Sequence, residues 1–257
     1  MSNGTDPFGG QRGRPLKLLV ERLDSQHFQF RGSQVFRWML ESILVRVGVK
    51  HNCDVPKEGQ ELVNECVDLY RQSVISAGPF EDLLGPVYMQ LATKYARDGL
   101  GQYFTPSCIS GLMAAVLVGD EKFDRPLTKF MEPCVGSGAL VLGLVKHVLG
   151  THGPQKLLKL SLTGVDLDPV CVHMFAVQML ASMLFHDLPV GEVVAVHGNS
   201  IVPQRAWKVV LHASHASIDA DLLQGGKADG GNDVRSEDAV CRQQVQAQQT
   251  GQIDMFG

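Results

Sequence analysis

The feature that most restricts the fold of this chain is a change in its hydrophobic period after residue 101. Beyond that point, short apolar runs alternate with stretches of helical spacing. The runs are 127–131, 160–165, 193–196 and 209–211, and the helical stretches are 139–149 and 169–185. Strands separated by helices form parallel βαβ units, because the helix returns the chain to the start of the next strand. The pattern therefore predicts an α/β fold with a doubly wound sheet.

The chain before residue 101 is predicted to be helical. Apolar residues recur there at helical spacing over 17–23, 34–47, 61–76 and 82–97, and Thr105-Pro106-Ser107 predicts the start of another helix over 108–118. The Gly-rich residues that open the chain predict a mobile arm, and the polar residues that close it are too poor in large apolar groups to offset their ordering entropy. The predicted divisions are an arm (1–15), a helical region (16–100), an α/β domain (101–212) and a disordered tail (213–257).

Composition excludes several classes of protein. No apolar run is long enough to span a bilayer, so a membrane protein is not expected. The six cysteines include no CxxC pair, which favours free thiols in a reducing cytoplasm. The net charge of −4 means that nucleic-acid binding would need a local basic patch. His212 and His215 have a ligand-like spacing, but two ligands do not make a metal site.

The loop Glu132-Pro133-Cys134-Val135-Gly136-Ser137-Gly138 follows the first predicted strand and precedes a helix. A glycine turn at a helix N-terminus lets the backbone approach a ligand, and the exposed N–H groups favour a negative partner. The alternative is a tight strand–helix turn without a ligand.

The second and third predicted strands also end in polar residues. Asp166, at the end of the second strand, could accept hydrogen bonds from both ribose hydroxyls of a nucleoside. Alternatively, Asp166 or Asp168 caps the helix that begins at Pro169, and each carboxylate could have one of the two roles. Asn199 follows the third strand, where its amide could contact an adenine edge.

Four segments in this order resemble the adenine-N6 DNA methyltransferases of type I restriction-modification systems. They are DLLGPVY (82–88), GQYFTP (101–106), EPCVGSG (132–138) and GVDLDP (164–169), within a resemblance that covers about 80–211. The resemblance implies a Rossmann-like methyltransferase sheet that binds S-adenosylmethionine and acts on DNA. It also implies a cofactor site made of Gln102, Tyr103, Phe104, Thr105, Pro106, Glu132, Gly136, Ser137, Gly138, Asp166 and Asn199.

The resemblance assigns each group a role. Residues 102–106 would contact the cofactor, with Thr105 near the methionine carboxylate, and Glu132 would meet the amino-acid moiety. The loop 136–138 would give backbone clearance, and Asp166 would hold the ribose. Asn199 stands where the family usually has Asp beside the adenine ring, and it also offers an acceptor.

The catalytic box of the family, (N/D)PP(F/Y), is missing from this chain. In the family this box follows the fourth strand, where it holds the flipped adenine and stacks an aromatic ring on it. Here the strand ending at Leu211 leads into His212-Ala213-Ser214-His215. Only four of about seven expected strands are found, so the sheet is predicted to be incomplete. In the expected order 3-2-1-4 the fourth strand is an apolar edge, which a partner chain or the N-terminal helices could cover.

The last residues, Gln252-Ile253-Asp254-Met255-Phe256, resemble the QLxLF-type peptides that dock on the bacterial sliding clamp. Gln252 would donate amide hydrogen bonds, and Met255 and Phe256 would be apolar anchors on a flexible linker. The alternatives are an incidental apolar end or a segment that folds back onto its own core.

Three functions follow from these observations. The first is a DNA adenine-N6 methyltransferase that acts with a target-recognition or other partner subunit, and it explains the cofactor segments. The second is a noncatalytic accessory protein that binds S-adenosylmethionine and DNA and is recruited by its tail, and it also explains the missing box. The third, a small-molecule or protein methyltransferase, does not fit GQYFTP.

Overall fold

The computed structural model describes residues 13–24, 30–50, 52–95, 105, 107–119, 121–125, 127–202 and 207–215. These residues form helices and strands in the following order: α1 (Arg14–Asp24), α2 (Gly32–Arg46), α3 (Lys57–Ser76), α4 (Leu84–Tyr95), α5 (Ser107–Val118), β1 (Thr128–Glu132), α6 (Ala139–His152), α7 (Pro154–Leu157), β2 (Leu160–Asp166), α8 (Pro169–Phe185), β3 (Glu192–His197) and β4 (Lys208–Ser214). The predicted α/β fold with a preceding helical region is confirmed. The short helix α7 was not predicted.

The four strands form one sheet in the order β1-β2-β3-β4. β1, β2 and β3 are parallel, and their registers pair Glu132 with Gly164 and Asp166 with His197. β4 is antiparallel to β3 and pairs His197 with Lys208. The expected order 3-2-1-4, with a parallel fourth strand beside β1, is therefore wrong.

The short connection between β3 and β4 explains this arrangement. Only residues 198–207 separate the two strands, whereas a parallel crossover needs a dozen residues or more. A connection of this length can turn the chain back beside β3, but it is too short to carry a helix across β2 and β1. The apolar run 209–211 predicted a strand, but its neighbour depends on the length of the preceding loop.

Helix α8 lies between the sheet and the N-terminal helices. It packs against β2 and β3 on one side and against α2, α3 and α4 on the other, and eleven of its seventeen residues are buried. A helix that is apolar on all sides is stable only when it is enclosed in this way. The described helices and the sheet therefore share one hydrophobic core through α8.

Helix α5, unlike α8, exposes most of its large apolar side chains. Its small residue Ser110 packs against Gly143 of α6, where an added Cβ would lie 2.9 Å from Ser110 Cβ. Five of its large apolar side chains are exposed by 42% to 70%: Ile109, Leu112, Met113, Val116 and Leu117. None of the helices in the described ranges is both long and apolar enough to cross a membrane.

Candidate functional site

The predicted ligand-binding residues of the α/β domain lie at the carboxyl ends of β1, β2 and β3. Glu132 is the last residue of β1 and Asp166 is the last residue of β2, while Asn199 lies two residues beyond β3. The loops are also joined by backbone, because Gly198 N donates to Asp166 O at 2.9 Å and Val135 N donates to Val165 O at 2.8 Å. The parallel register thus brings three separate sequence segments to one edge of the sheet.

Asp166 connects the loops that follow β1 and β2. Its Oδ2 accepts from Gly136 N at 2.8 Å, and its Oδ1 accepts from Asp168 N at 2.9 Å. The side chain is half-buried. Since an ionised carboxylate has about four acceptor positions, the donors among the described residues leave two for the hydroxyls of a ligand.

Asp168 caps helix α8. Its Oδ1 accepts from Val170 N at 2.9 Å, which satisfies a donor at the helix N-terminus. Its Oδ2 accepts from the hydroxyl of Tyr88 at 3.4 Å, and burial and the nearby Asp168 carboxylate raise the pKa of Tyr88. Of the two roles that the sequence left open, the cap therefore belongs to Asp168. The ribose role of Asp166 stays a prediction.

Two glycines of this edge are required by Phe175 of α8. Gly138 has φ of +95°, and a Cβ on it would lie 2.8 Å from Phe175 Cδ2. A Cβ on Gly164 would lie 2.6 Å from Phe175 Cε1. The aromatic ring thus fits against bare backbone from both the 132–138 loop and β2. The clearance predicted for a cofactor at 136–138 stays a prediction.

Ser137 is fixed by residues that the sequence analysis did not select. Its Oγ donates to Asp82 Oδ2 at 2.9 Å, and its carbonyl accepts from Gln178 Nε2 at 2.8 Å. Asp82 belongs to the DLLGPVY segment, but it was given no role there. A signal for Gln178 was available, because it is an uncharged polar residue inside the otherwise mostly apolar 169–185 helix.

Glu132 and Asn199 are oriented by their own turns. Glu132 Oε1 accepts from Cys134 N at 3.1 Å. Asn199 Oδ1 accepts from Ile201 N at 2.9 Å, and Asn199 O accepts from Trp207 Nε1 at 2.9 Å. Both side chains are half-buried, so each still has surface that a ligand could contact.

Several predicted residues lie outside the described part of the chain. Within GQYFTP the structure describes only Thr105, which is half-buried, and it does not describe Gln102, Tyr103, Phe104 or Pro106. Gln252, Met255 and Phe256 are also outside the described residues. Their roles stay predictions.

His212 is bonded within the β3–β4 pair. Its Nε2 lies 3.0 Å from Glu192 Oε1, and Ser161 Oγ donates to Glu192 Oε2. The hydrogen bonds from His212 and Ser161 hold the pKa of Glu192 below its usual range, against the effect of burial. His212 pairs with Val194, which pairs with Thr163, three residues before Asp166. This histidine therefore stabilises the strands rather than the carboxyl edge.

The sequence profile of N-6 DNA Methylase matches residues 80–213. No curated protein matches the chain.

Two solved structures are similar to parts of the chain. One is a Listeria monocytogenes protein assigned as a class I S-adenosylmethionine-dependent methyltransferase, with 12% identity and a TM-score of 0.45 over 74% of this chain and 55% of that one. The other is the methyltransferase subunit of a type I restriction-modification system from Streptococcus thermophilus, with 21% identity and a TM-score of 0.33 over 68% of this chain and 36% of that one. The chain thus spans about half the length of the first and about a third of the second.

Proposed function

Because this chain belongs to the N-6 DNA methylase family, we propose that it binds S-adenosylmethionine at the carboxyl edge of β1, β2 and β3. The observation that carries the proposal is the position of Asp166. Its carboxylate joins the loops after β1 and β2 and has acceptor positions that no described residue uses. This is the place where a nucleoside binds in sheets of parallel strands.

The side chains at this edge fit the chemical groups of that cofactor. The Asp166 carboxylate would accept from the ribose hydroxyls, and the half-buried Glu132 carboxylate would attract the ammonium group of the methionine moiety. Asn199 would lie beside the adenine ring. When bound, the cofactor supplies an activated methyl group. The residues of GQYFTP, with Thr105 among them, would complete the site.

For the substrate, we propose adenine in DNA within a restriction-modification system, with a partner chain that completes the catalytic site. The sequence after β4 lacks the (N/D)PP(F/Y) box, and a flipped base needs such stacking and amide contacts. A second candidate is a noncatalytic accessory protein that binds S-adenosylmethionine. The bond between His212 and Glu192 favours this candidate. It keeps His212 in the β3–β4 pair and away from the carboxyl edge, so this histidine does not replace the missing box there.

Two further features belong to this proposal. A cytoplasmic location is supported by the cysteines whose side chains the structure describes, Cys53, Cys66, Cys134 and Cys171, which are free thiols. Docking of residues 252–256 on the bacterial sliding clamp is the other, and it depends on the sequence alone.

Isothermal titration calorimetry with S-adenosylmethionine tests the cofactor site. We expect Asp166→Ala to weaken binding about ten- to hundredfold, since hydrogen bonds to a charged group contribute about 1.5–3 kcal/mol. Glu192→Gln is the matched control, because it changes a carboxylate of the same sheet away from the carboxyl edge, and its affinity should equal that of the wild type. Absence of binding by the wild type, or equal affinity of the Asp166→Ala variant, would contradict the proposal.

Incorporation of tritiated methyl groups into adenine-containing DNA tests the activity. We expect the purified chain alone to transfer methyl groups very slowly or not at all, because it lacks the box that holds the flipped base. Turnover at the rates of ordinary enzymes without a partner, about 1 s⁻¹ or faster, would show that the box is not needed. That result would also exclude the noncatalytic accessory protein.

A further inference from the structure

The side chain of Gln178 lies at the centre of a buried hydrogen-bond network next to the proposed cofactor loop. It is 3% exposed on α8. Its Oε1 accepts from Leu83 N at 2.7 Å and from Leu84 N at 2.9 Å. Its Nε2 donates to Asp82 Oδ1 at 2.9 Å and to Ser137 O at 2.8 Å. These four bonds use both donors and both acceptor positions of the amide.

Asp82 connects the same network to the start of α4. Its Oδ1 also accepts from Gly85 N at 2.9 Å, and its Oδ2 accepts from Ser137 Oγ at 2.9 Å. A Cβ on Gly85 would lie 2.3 Å from Asp82 Oδ2, so the carboxylate fits closely against the helix backbone. The N-terminus of α4 and Ser137 are thus held by one carboxylate and one amide.

Ser137 is the residue through which this network reaches the site. It is 1% exposed, and it lies between Gly136 and Gly138, whose φ angles are +55° and +95°. Glycines restrict the backbone least, so the two bonds of Ser137 supply side-chain and carbonyl anchors in this part of the loop. Gly136 N, one residue earlier, is a donor to Asp166.

We propose that Gln178 is a positioning residue for the cofactor loop, residues 132–138. It acts through Ser137 and Asp82 and couples that loop to the start of α4. It does not touch the ligand. It holds the loop so that Gly136 N meets Asp166 and the remaining acceptor positions of Asp166 face the site. The role in binding rests on the proposed function, while the role in holding the loop does not.

Gln178→Met tests the proposal, because it keeps a similar length and removes all four hydrogen bonds. We expect faster amide hydrogen exchange at 136–138 by at least tenfold, and S-adenosylmethionine binding weaker by at least tenfold. Ser182→Ala is the matched control. Ser182 lies one turn further along α8, is buried, and accepts from Phe80 N at 2.7 Å. It bonds to the same N-terminal region, and no hydrogen bond of the described residues joins it to the loop.

The control separates positioning from general stability. If Ser182→Ala lowers the midpoint of urea unfolding as much as Gln178→Met but leaves exchange at 136–138 and cofactor affinity within twofold of the wild type, the proposal holds. The proposal would be overturned if both variants, at matched stability, changed hydrogen exchange and cofactor affinity equally. It would also be overturned if residues 136–138 of Gln178→Met exchanged at the wild-type rate.

If Gln178→Met does not fold, Ser137→Ala provides the same test, because it removes only the bond to Asp82 and should speed exchange at 136–138 at least threefold. Wild-type exchange there in Ser137→Ala would then overturn the proposal.

Failure of the proposed function gives a different result. If the wild type binds no S-adenosylmethionine, the cofactor assignment is wrong, and hydrogen exchange still decides whether Gln178 holds the loop. If the wild type binds and Gln178→Met binds equally well, the assignment stands and the positioning role is wrong.

Discussion

Asp166 and Glu192 are carboxylates on neighbouring parallel strands, and each accepts two hydrogen bonds from described residues, but their donors differ. Asp166 accepts from the backbone N–H groups of Gly136 and Asp168. Glu192 accepts from the side chains of Ser161 and His212. Backbone donors move only when the chain path moves, so Asp166 and the loops fix each other's positions. Side-chain donors join strands that the backbone ladder already pairs.

The carboxyl edge is therefore expected to tolerate change less than the β3–β4 pair. At the edge, one substitution alters the course of two loops and the proposed ligand site with them. In the strand pair, a substitution weakens side-chain contacts and leaves the ladder in place. Substitutions in each region test this difference.

The largest effect is expected for Gly164→Ala at the carboxyl edge. The added Cβ would lie 2.6 Å from Phe175 Cε1 and 2.8 Å from Val135 Cγ2, so β2 or the ring must shift. Overpacking of this kind costs about 1–3 kcal/mol, and we expect a loss in that range by urea unfolding together with weaker S-adenosylmethionine binding. Gly150→Ala is the control, since nothing lies within 4 Å of its added Cβ. It lies in α6 and should be neutral or stabilising by up to about 1 kcal/mol. Equal stability of the two variants would show that the carboxyl edge tolerates an added Cβ as well as α6 does.

A smaller effect is expected for Glu192→Gln in the strand pair. The substitution keeps the shape of the side chain and removes its charge, so the bonds to Ser161 and His212 become weaker. We expect a loss of about 1 kcal/mol at neutral pH and unchanged affinity for S-adenosylmethionine. Urea unfolding and calorimetry measure the two quantities. A loss of cofactor affinity in this variant would show that the strand pair contributes to the site.

The same pair predicts a pH dependence. The hydrogen bond from His212 is the largest cause that holds the pKa of Glu192 below its usual range. A carboxylate with a lowered pKa in the folded state contributes stability above its unfolded pKa of about 4.3, and this is lost as the pH falls through the folded pKa. The difference in unfolding free energy between the wild type and Glu192→Gln should therefore shrink as the pH is lowered below about 4. A difference that grows on acidification would show that the sign is wrong.

The smallest effect on stability is expected for the double substitution Met255→Ala and Phe256→Ala. If these side chains dock on a sliding clamp, their removal leaves the melting temperature unchanged and abolishes co-purification with the clamp, because a few anchors supply most of the binding energy of a short peptide. Clamp binding that persists after deletion of the tail would contradict the docking proposal. A lower melting temperature would instead show that the segment packs on its own core.

The α/β pattern and the positions of the three parallel strands could be predicted because hydrophobic period is a local property of the sequence. The cap at Asp168 could be foreseen in the same way, since a cap acts on its own helix. The sequence also placed Glu132, Asp166 and Asn199 at strand ends, and parallel pairing brings such ends to one edge.

The partner of β4 and the role of Gln178 were decided by tertiary structure. The apolar run 209–211 specifies a strand but not its neighbour, and the ten residues after His197 allow only a return beside β3. Gln178 bonds to Ser137, which is 41 positions away in the sequence, and to Asp82, which is 96 positions away. Such distant partners meet only when α8 is enclosed between the sheet and the N-terminal helices. Local periodicity therefore determined which residues form each element, whereas burial in the shared core determined which polar groups must bond to each other.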